Sequence, residues 1–151
     1  MIQRKQTLFL ICSIILLAGY LWSPVIRLEG PGIVNHVRAW EMNYNVGFPV
    51  IGHYFVYLIA IAAGISMGLN LITIFLYNRR RLQYALCLLA IIPALFCFFY
   101  VYYNWATKDS VLDTIFYYGN ITPWAAVICM ALAAISIRSD EALLRDSERL
   151  R

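Results

Sequence analysis

Apolar residues in this chain come in long blocks rather than at the two-residue period of a strand. Four stretches contain no Asp, Glu, Lys or Arg: Leu8 to Ile26, Val50 to Tyr77, Leu82 to Tyr103 and Ile121 to Ile137, with 19, 28, 22 and 17 residues. A helix crossing a bilayer needs about 20 apolar residues, within a range of roughly 17–25. With no water to bond to, backbone groups in hydrocarbon leave only helices or a closed barrel. A barrel requires alternating strands of about ten residues, and runs such as Ile59 to Gly64 do not alternate. The pattern predicts an all-α fold: an integral membrane bundle of four transmembrane helices in one domain spanning 1–151. The second stretch exceeds the bilayer and is expected to tilt or project. The fourth is short enough that Ser136 and Ile137 must be used in full.

The spans leave outer loops over 27–49 and 104–120, an inner loop over 78–81 and a tail over 138–151. The inner loop is so short that the second and third spans must form an antiparallel hairpin. In the second outer loop Ser110 is followed three residues on by Asp113, a capping-box pattern. Val111, Leu112, Ile115 and Phe116 then recur at helical spacing before Gly119. This predicts a short interfacial outer helix over Val111 to Tyr118; the alternative is a loop that dips its aromatics into headgroups. Thr122 and Pro123 suit the cap and first turn of the fourth span. The first outer loop carries Gly30, Pro31, Gly32, Gly47 and Pro49, and leaves both a short helix and a hairpin open over Ile33 to Tyr44. The tail from Ser139 to Arg151 reads as a short cytoplasmic C-terminal helix continuing the fourth span. Glu141 and Arg145 are four apart there, and Glu148 and Arg151 three apart. Leu143 and Leu150 would share a face, against a partner or against the bundle and lipid surface.

Composition narrows the class. Hydrophobic residues make up 62% and charged residues 13%, against about 45–50% and 25% in a soluble domain. Soluble globular, disordered and disulfide-scaffold classes are thereby excluded. Charge then gives direction. Nine basic residues fall on one side of the four stretches: Arg4, Lys5, Arg79, Arg80, Arg81, Arg138, Arg145, Arg149 and Arg151. Three, Arg27, Arg38 and Lys108, fall on the other. The positive-inside rule predicts both termini in the cytoplasm, N-in and C-in. Topology thus accounts for the pI near 9.0, and no nucleic-acid partner is needed. Trp22, Trp40, Tyr100, Tyr103, Trp105 and Trp124 gather at the outer ends, as interfacial belts do. The first stretch has the basic start of a signal peptide, but no small-x-small cleavage site follows it.

Candidate chemistry is sparse. The apolar stretches contain no ionisable Asp, Glu, Lys or Arg; an ionisable group there would mark a proton or ion path. His53, near the outer end of the second span, has no carboxylate partner in its own helix. Cys12, Cys87, Cys97 and Cys129 all lie within spans, and no CxxC occurs. They are expected to act as small buried hydrophobes, with Cys12 and Cys87 at similar depth near the inner face. The absence of outer cysteines argues against a thiol-exchange enzyme. Glu29, His36, Glu41, Asp109 and Asp113 lie outside at spacings that match no metal-ligand signature. No catalytic, cofactor or metal site is expected. Small residues at four-residue spacing, Ala60, Gly64 and Gly68 in the second span and Ala125, Cys129 and Ala133 in the fourth, are expected to let helices approach within the bundle or between copies. Asn70 should bond across to another helix, while Ser66 and Thr73 bond back to their own. Pro93 should kink the third span.

The start MIQRKQTLFL (Met1 to Leu10), the segment IFLYNRRRLQYALC (Ile74 to Cys87) and the end IRSDEALLRDSERLR (Ile137 to Arg151) resemble a family of small bacterial membrane proteins of the Bacteroidota, DUF4293. The resemblance runs over the whole chain and is weakest in the outer loops. It implies a four-span protein of the inner (cytoplasmic) membrane and brings no activity, cofactor or catalytic residue. It also draws attention to the cytoplasmic edge, through Gln3, Arg4, Gln6, Asn78, Arg79, Leu82, Gln83, Asp140, Glu141 and Arg149.

Two function classes follow. The first is a non-enzymatic scaffold, accessory subunit or regulator. It would dock a membrane or cytoplasmic protein, or a second copy, through Arg4, Lys5, Arg79, Arg80, Arg81, Arg145 and Arg149. Anionic lipid headgroups at the inner face would add about 1 kcal/mol per basic residue. The second is a small transporter or channel subunit with a polar path near Asn70, Ser66, Thr73 and Pro93. A membrane enzyme ranks third, for want of a nucleophile, base or metal constellation.

Overall fold

A computed structural model describes residues 3–30, 33–38, 53–76, 79–106, 113–116 and 118–149. Four helices dominate it: α1 (Gln3–Trp22), α2 (His53–Phe75), α3 (Arg80–Ala106) and α4 (Ile121–Arg149). Each is long and apolar enough to cross a membrane. They pack as a ring in which α1 touches α2 and α4, and α3 touches α2 and α4. The short α2–α3 turn makes those two helices antiparallel. The contacts of Gln6 with Asp140 and of Arg81 with Glu141 gather the start of α1, the α2–α3 turn and the last turns of α4 at one end of the bundle. Arg80 and Arg81, expected in the inner loop, already belong to α3. That helix runs through Pro93 without interruption.

The helices bury stripes with alternating steps of three and four residues. On α1 these are Gln6, Leu10, Ser13, Leu17 and Tyr20; on α2, Ile59, Ala63, Ser66, Asn70 and Thr73. On α3 they are Gln83, Cys87, Ala90, Ala94, Cys97 and Val101. On α4 they are Pro123, Ala126, Met130, Ala133, Ile137 and Asp140. A mean step of 3.5 against 3.6 residues per turn is the signature of helices that cross at about 20° with side chains interlocked. Small residues on these stripes bring the backbones close, and Leu10, Leu17, Tyr20 and Met130 fill the space between them.

Of the two expectations for the small residues, contact within the bundle is not what most of them make. Gly64 and Gly68 face outward, and a methyl group added to either would meet nothing within 4 Å. Ala60, Ala125 and Cys129 are half-buried, and only Ala133 is fully inside. The reason is angular. Steps of four advance about 40° past a full turn each time, so such a series drifts off the contact face. The alternative orientation would also turn Ser66 and Asn70 toward lipid, a greater cost than an outward glycine.

At the opposite end the chain forms a three-stranded antiparallel sheet, absent from the expectation of an all-α fold. Its strands are β1 (Pro24–Gly30), β2 (Ile33–Arg38) and β3 (Asp113–Phe116), in the order β2-β1-β3. The first span therefore ends at Trp22, and Pro24 to Ile26 are strand rather than membrane helix. Of the region Ile33 to Tyr44, β2 takes 33–38 in a hairpin with β1; 39–44 lie outside the described residues.

The outer helix expected over Val111 to Tyr118 is corrected to β3, in register from Ile26↔Phe116 to Glu29↔Asp113. A single isolated helical turn is costly to nucleate. Thr114, Ile115 and Phe116 favour strands, and the edge of β1 offers them hydrogen bonds. Ser110, the other half of the capping pattern, lies outside the described residues.

A one-turn 3-10 helix (Tyr118–Asn120) joins this sheet to α4. The Asn120 amide donates to the Val25 carbonyl at 2.7 Å. Thr122 is not the cap: its hydroxyl donates back to the Gly119 carbonyl at 2.7 Å. Gly119 is buried so close to β1 that a Cβ would come within 2.5 Å of both the Pro24 carbonyl oxygen and the Ser23 hydroxyl. Gly119→Ala must therefore push the two segments apart, at a cost of about 1–3 kcal/mol. Gly64→Ala has free space. In thermal unfolding in detergent, G119A should lower the midpoint clearly and G64A should leave it unchanged. Equal midpoints would contradict this packing.

Candidate functional site

Among the described residues, the bundle end bearing the α2–α3 turn gathers a group of buried polar side chains. Gln6 on α1 and Asp140 on α4 occupy equivalent places on their stripes and are both buried. The Gln6 amide donates to the Asp140 carboxyl oxygen Oδ2. Gln83 is buried on the α3 stripe at the same end. At the rim, Arg81 Nε lies 3.2 Å from Glu141 Oε1, tying α3 to α4. These two contacts pin three helices together.

The tail continues the fourth span as a helix, as expected, and Asp140 extends its buried face. The helix is continuous through Arg149, and its buried stripe extends past Ile137 to Asp140. The Glu141 carboxylate likewise reaches across to Arg81. For the Glu148–Arg151 pair, Arg151 lies outside the described residues.

The expected docking cations come together around this cluster. Lys5, Arg79 and Arg81 are exposed and Arg80 is half-buried. Arg138, next to Asp140, is exposed as well. Arg4 lies in the first turns of α1, and Arg145 and Arg149 in the last turns of α4; the side chains of these three lie outside the described residues. The basic residues thus form a collar around a buried amide–carboxyl core. The sequence signal for that core was the stripe itself: Gln6 stands four before Leu10, and Asp140 three after Ile137.

Deeper in the bundle, polar groups link helices as expected for a hydrocarbon setting. The Asn70 amide donates across to Met130 Sδ at 3.3 Å. Ser66 donates to the Ala90 carbonyl on α3 at 2.8 Å rather than back to its own helix. Thr73 does bond back, to Leu69 O at 2.7 Å. Asn70 Oδ1 and the Tyr20 hydroxyl find no partner among the described residues.

Of the residues weighed as an outer site, Glu29 stands opposite Asp113 and Arg27 opposite His36 in the sheet. Glu41 and Asp109 lie outside the described residues. Among the described residues, no group of three or more His, Cys, Asp or Glu is placed to hold a metal ion.

A family model described as a domain of unknown function, DUF4293, matches residues 2–150. The chain belongs to the DUF4293 family. Comparison with curated proteins and with solved structures found no match. The DUF4293 match covers helices, sheet and polar cluster alike, and assigns no reaction to any of them.

The buried pair and the rim pair should differ in weight. Gln6→Leu leaves a buried carboxyl oxygen without its donor, a loss of about 1–3 kcal/mol. Arg81→Gln removes an ion pair whose arginine is 93% exposed, worth at most about 1 kcal/mol. Unfolding in mixed detergent micelles should rank Q6L well below R81Q. The reverse order would remove Gln6–Asp140 as the main fastening of this end.

Proposed function

We propose that this DUF4293 protein is a non-enzymatic component of the bacterial inner membrane, with both termini in the cytoplasm, that docks a protein partner at its basic end. The observation that carries the reading is the collar: Lys5, Arg79, Arg81 and Arg138 are exposed around one end of the bundle. The last turns of α4 rise from the same end. With 29 residues, α4 is about 43 Å long, against a hydrocarbon core of about 30 Å. It therefore supplies a helical extension beside the collar. A partner with an acidic surface would meet both, and anionic headgroups would hold the collar at the bilayer surface.

A conducting path is the second reading, favoured by one observation: Asn70 is buried with Oδ1 unpartnered among the described residues. Around it the bundle is filled by Leu10, Leu17 and Met130, all fully buried, and this supports the docking role over a pore.

The test is affinity purification in mild detergent, comparing wild type, the Arg79, Arg80 and Arg81→Gln triple variant, and a chain lacking 144–151. That deletion spares Asp140 and Glu141, so the bundle keeps its fastenings. Docking predicts that a partner recovered with wild type is lost from both variants. The same recovery from both would overturn the reading. Conduction predicts instead a solute flux in liposomes that Asn70→Leu abolishes; absence of flux in the unaltered protein removes that reading.

A further inference from the structure

Two of the four cysteines are accounted for by packing. Cys87 and Cys97 are fully buried on the α3 stripe. Their thiols donate to carbonyls of neighbouring helices, Met130 O at 3.2 Å and Ile59 O at 3.7 Å. Cys12 and Cys129 sit off the stripes. Cys12 is exposed on α1, contrary to the burial expected of it, and Cys129 is half-buried on α4. Their sulfurs are 3.7 Å apart, and both thiols are free. Cys12 is ten residues from the Trp22 end of α1, and Cys129 eight from the Ile121 end of α4. The pair therefore lies about 12–15 Å below the sheet end, inside the apolar segments of both helices.

We propose that Cys12 and Cys129 form an intramembrane dithiol, which a lipid-soluble quinone oxidises to a disulfide joining α1 to α4. The two S–H bonds break and one S–S bond forms. The two electrons and two protons released pass to the quinone, which becomes the quinol. The sulfurs must close from 3.7 Å to about 2.05 Å, between helices already in contact. The surroundings select the oxidant. Thiol oxidation in water runs through a thiolate, an isolated charge that hydrocarbon disfavours, so here each thiol proton must leave with the electrons. A quinone accepts protons on its oxygens as it accepts electrons, so no net charge is left in the lipid. The exposure of Cys12 gives such a molecule access from the bilayer. The disulfide would fix α1 against α4 at mid-depth, adding a covalent tie to the pair of helices that Gln6 and Asp140 already join at the turn end.

The experiment uses the full chain in phosphatidylcholine–phosphatidylglycerol liposomes without oxygen, with decylubiquinone as the probe, since its fully substituted ring does not alkylate thiols. Maleimide titration after denaturation should fall from four thiols per chain to two, with one quinol formed. Proteolytic mapping should recover the peptides of Cys12 and Cys129 linked. Cys12→Ala and Cys129→Ala should each keep all remaining thiols and form no quinol, whereas Cys87→Ala should still lose two. The proposal is overturned if the unaltered protein keeps four thiols, if C12A still loses a pair, or if the link forms only with water-soluble diamide. Should either alanine variant fail to insert, the peptide map of the unaltered chain decides alone.

Discussion

In hydrocarbon a polar group without an internal partner costs several kcal/mol, and the rotation of every helix in this bundle follows from avoiding that cost. Each helix has two faces it could turn inward. On α2 one carries Ala60, Gly64 and Gly68; the other carries Ser66, Asn70 and Thr73. The second is inside. Glycine loses little by facing lipid tails, whereas Ser66 and Asn70 there would give up their bonds to Ala90 and Met130. The same rule turns Gln6, Gln83 and Asp140 inward. Once these residues choose the face, the steps of three and four fix the crossing geometry, and the large side chains Tyr20, Leu17 and Met130 fill what remains.

The two ends of the bundle are closed by different means. At the sheet end, the close approach of Gly119 to Ser23 and Pro24, with the Asn120–Val25 bond, clamps the exit of α1 to the entrance of α4. A T-shaped contact between Phe98 and Trp124, with centroids 5.2 Å apart, adds α3 to the same end. At the turn end the fastening is polar: Gln6 to Asp140 inside and Arg81 to Glu141 at the rim. Arg81 serves the rim pair, while Lys5, Arg79 and Arg138 stand exposed beside it, which is why the proposed role sits there.

The four helices were legible because 86 residues without a charge admit few alternatives. The hairpin of α2 and α3 followed from the brevity of the turn. The sheet was not legible. Its strands lie in loops with mixed composition, and β3 owes its conformation to β1, some ninety residues earlier in the chain; a local capping pattern pointed to a helix instead. The inward faces were partly legible. Asn70 was expected to bond across, and it does. Gly64 and Gly68 lie off the contact face within the bundle because steps of three and four, not steps of four alone, keep residues on it. The burial of Asp140 shows only when the stripe is followed through Ile137. The collar was visible as basic residues at three separate places; that they surround a buried pair needed the fold.

The central claim is that polar residues, not glycines, determine which face of α2 looks inward. Spin labels placed singly at Gly64, Ser66, Gly68 and Asn70 of a cysteine-free chain in liposomes test it directly, through their accessibility to dissolved oxygen. The account predicts high, lipid-like accessibility at 64 and 68 and low accessibility at 66 and 70. High values at 66 and 70 with low values at 64 and 68 would contradict it.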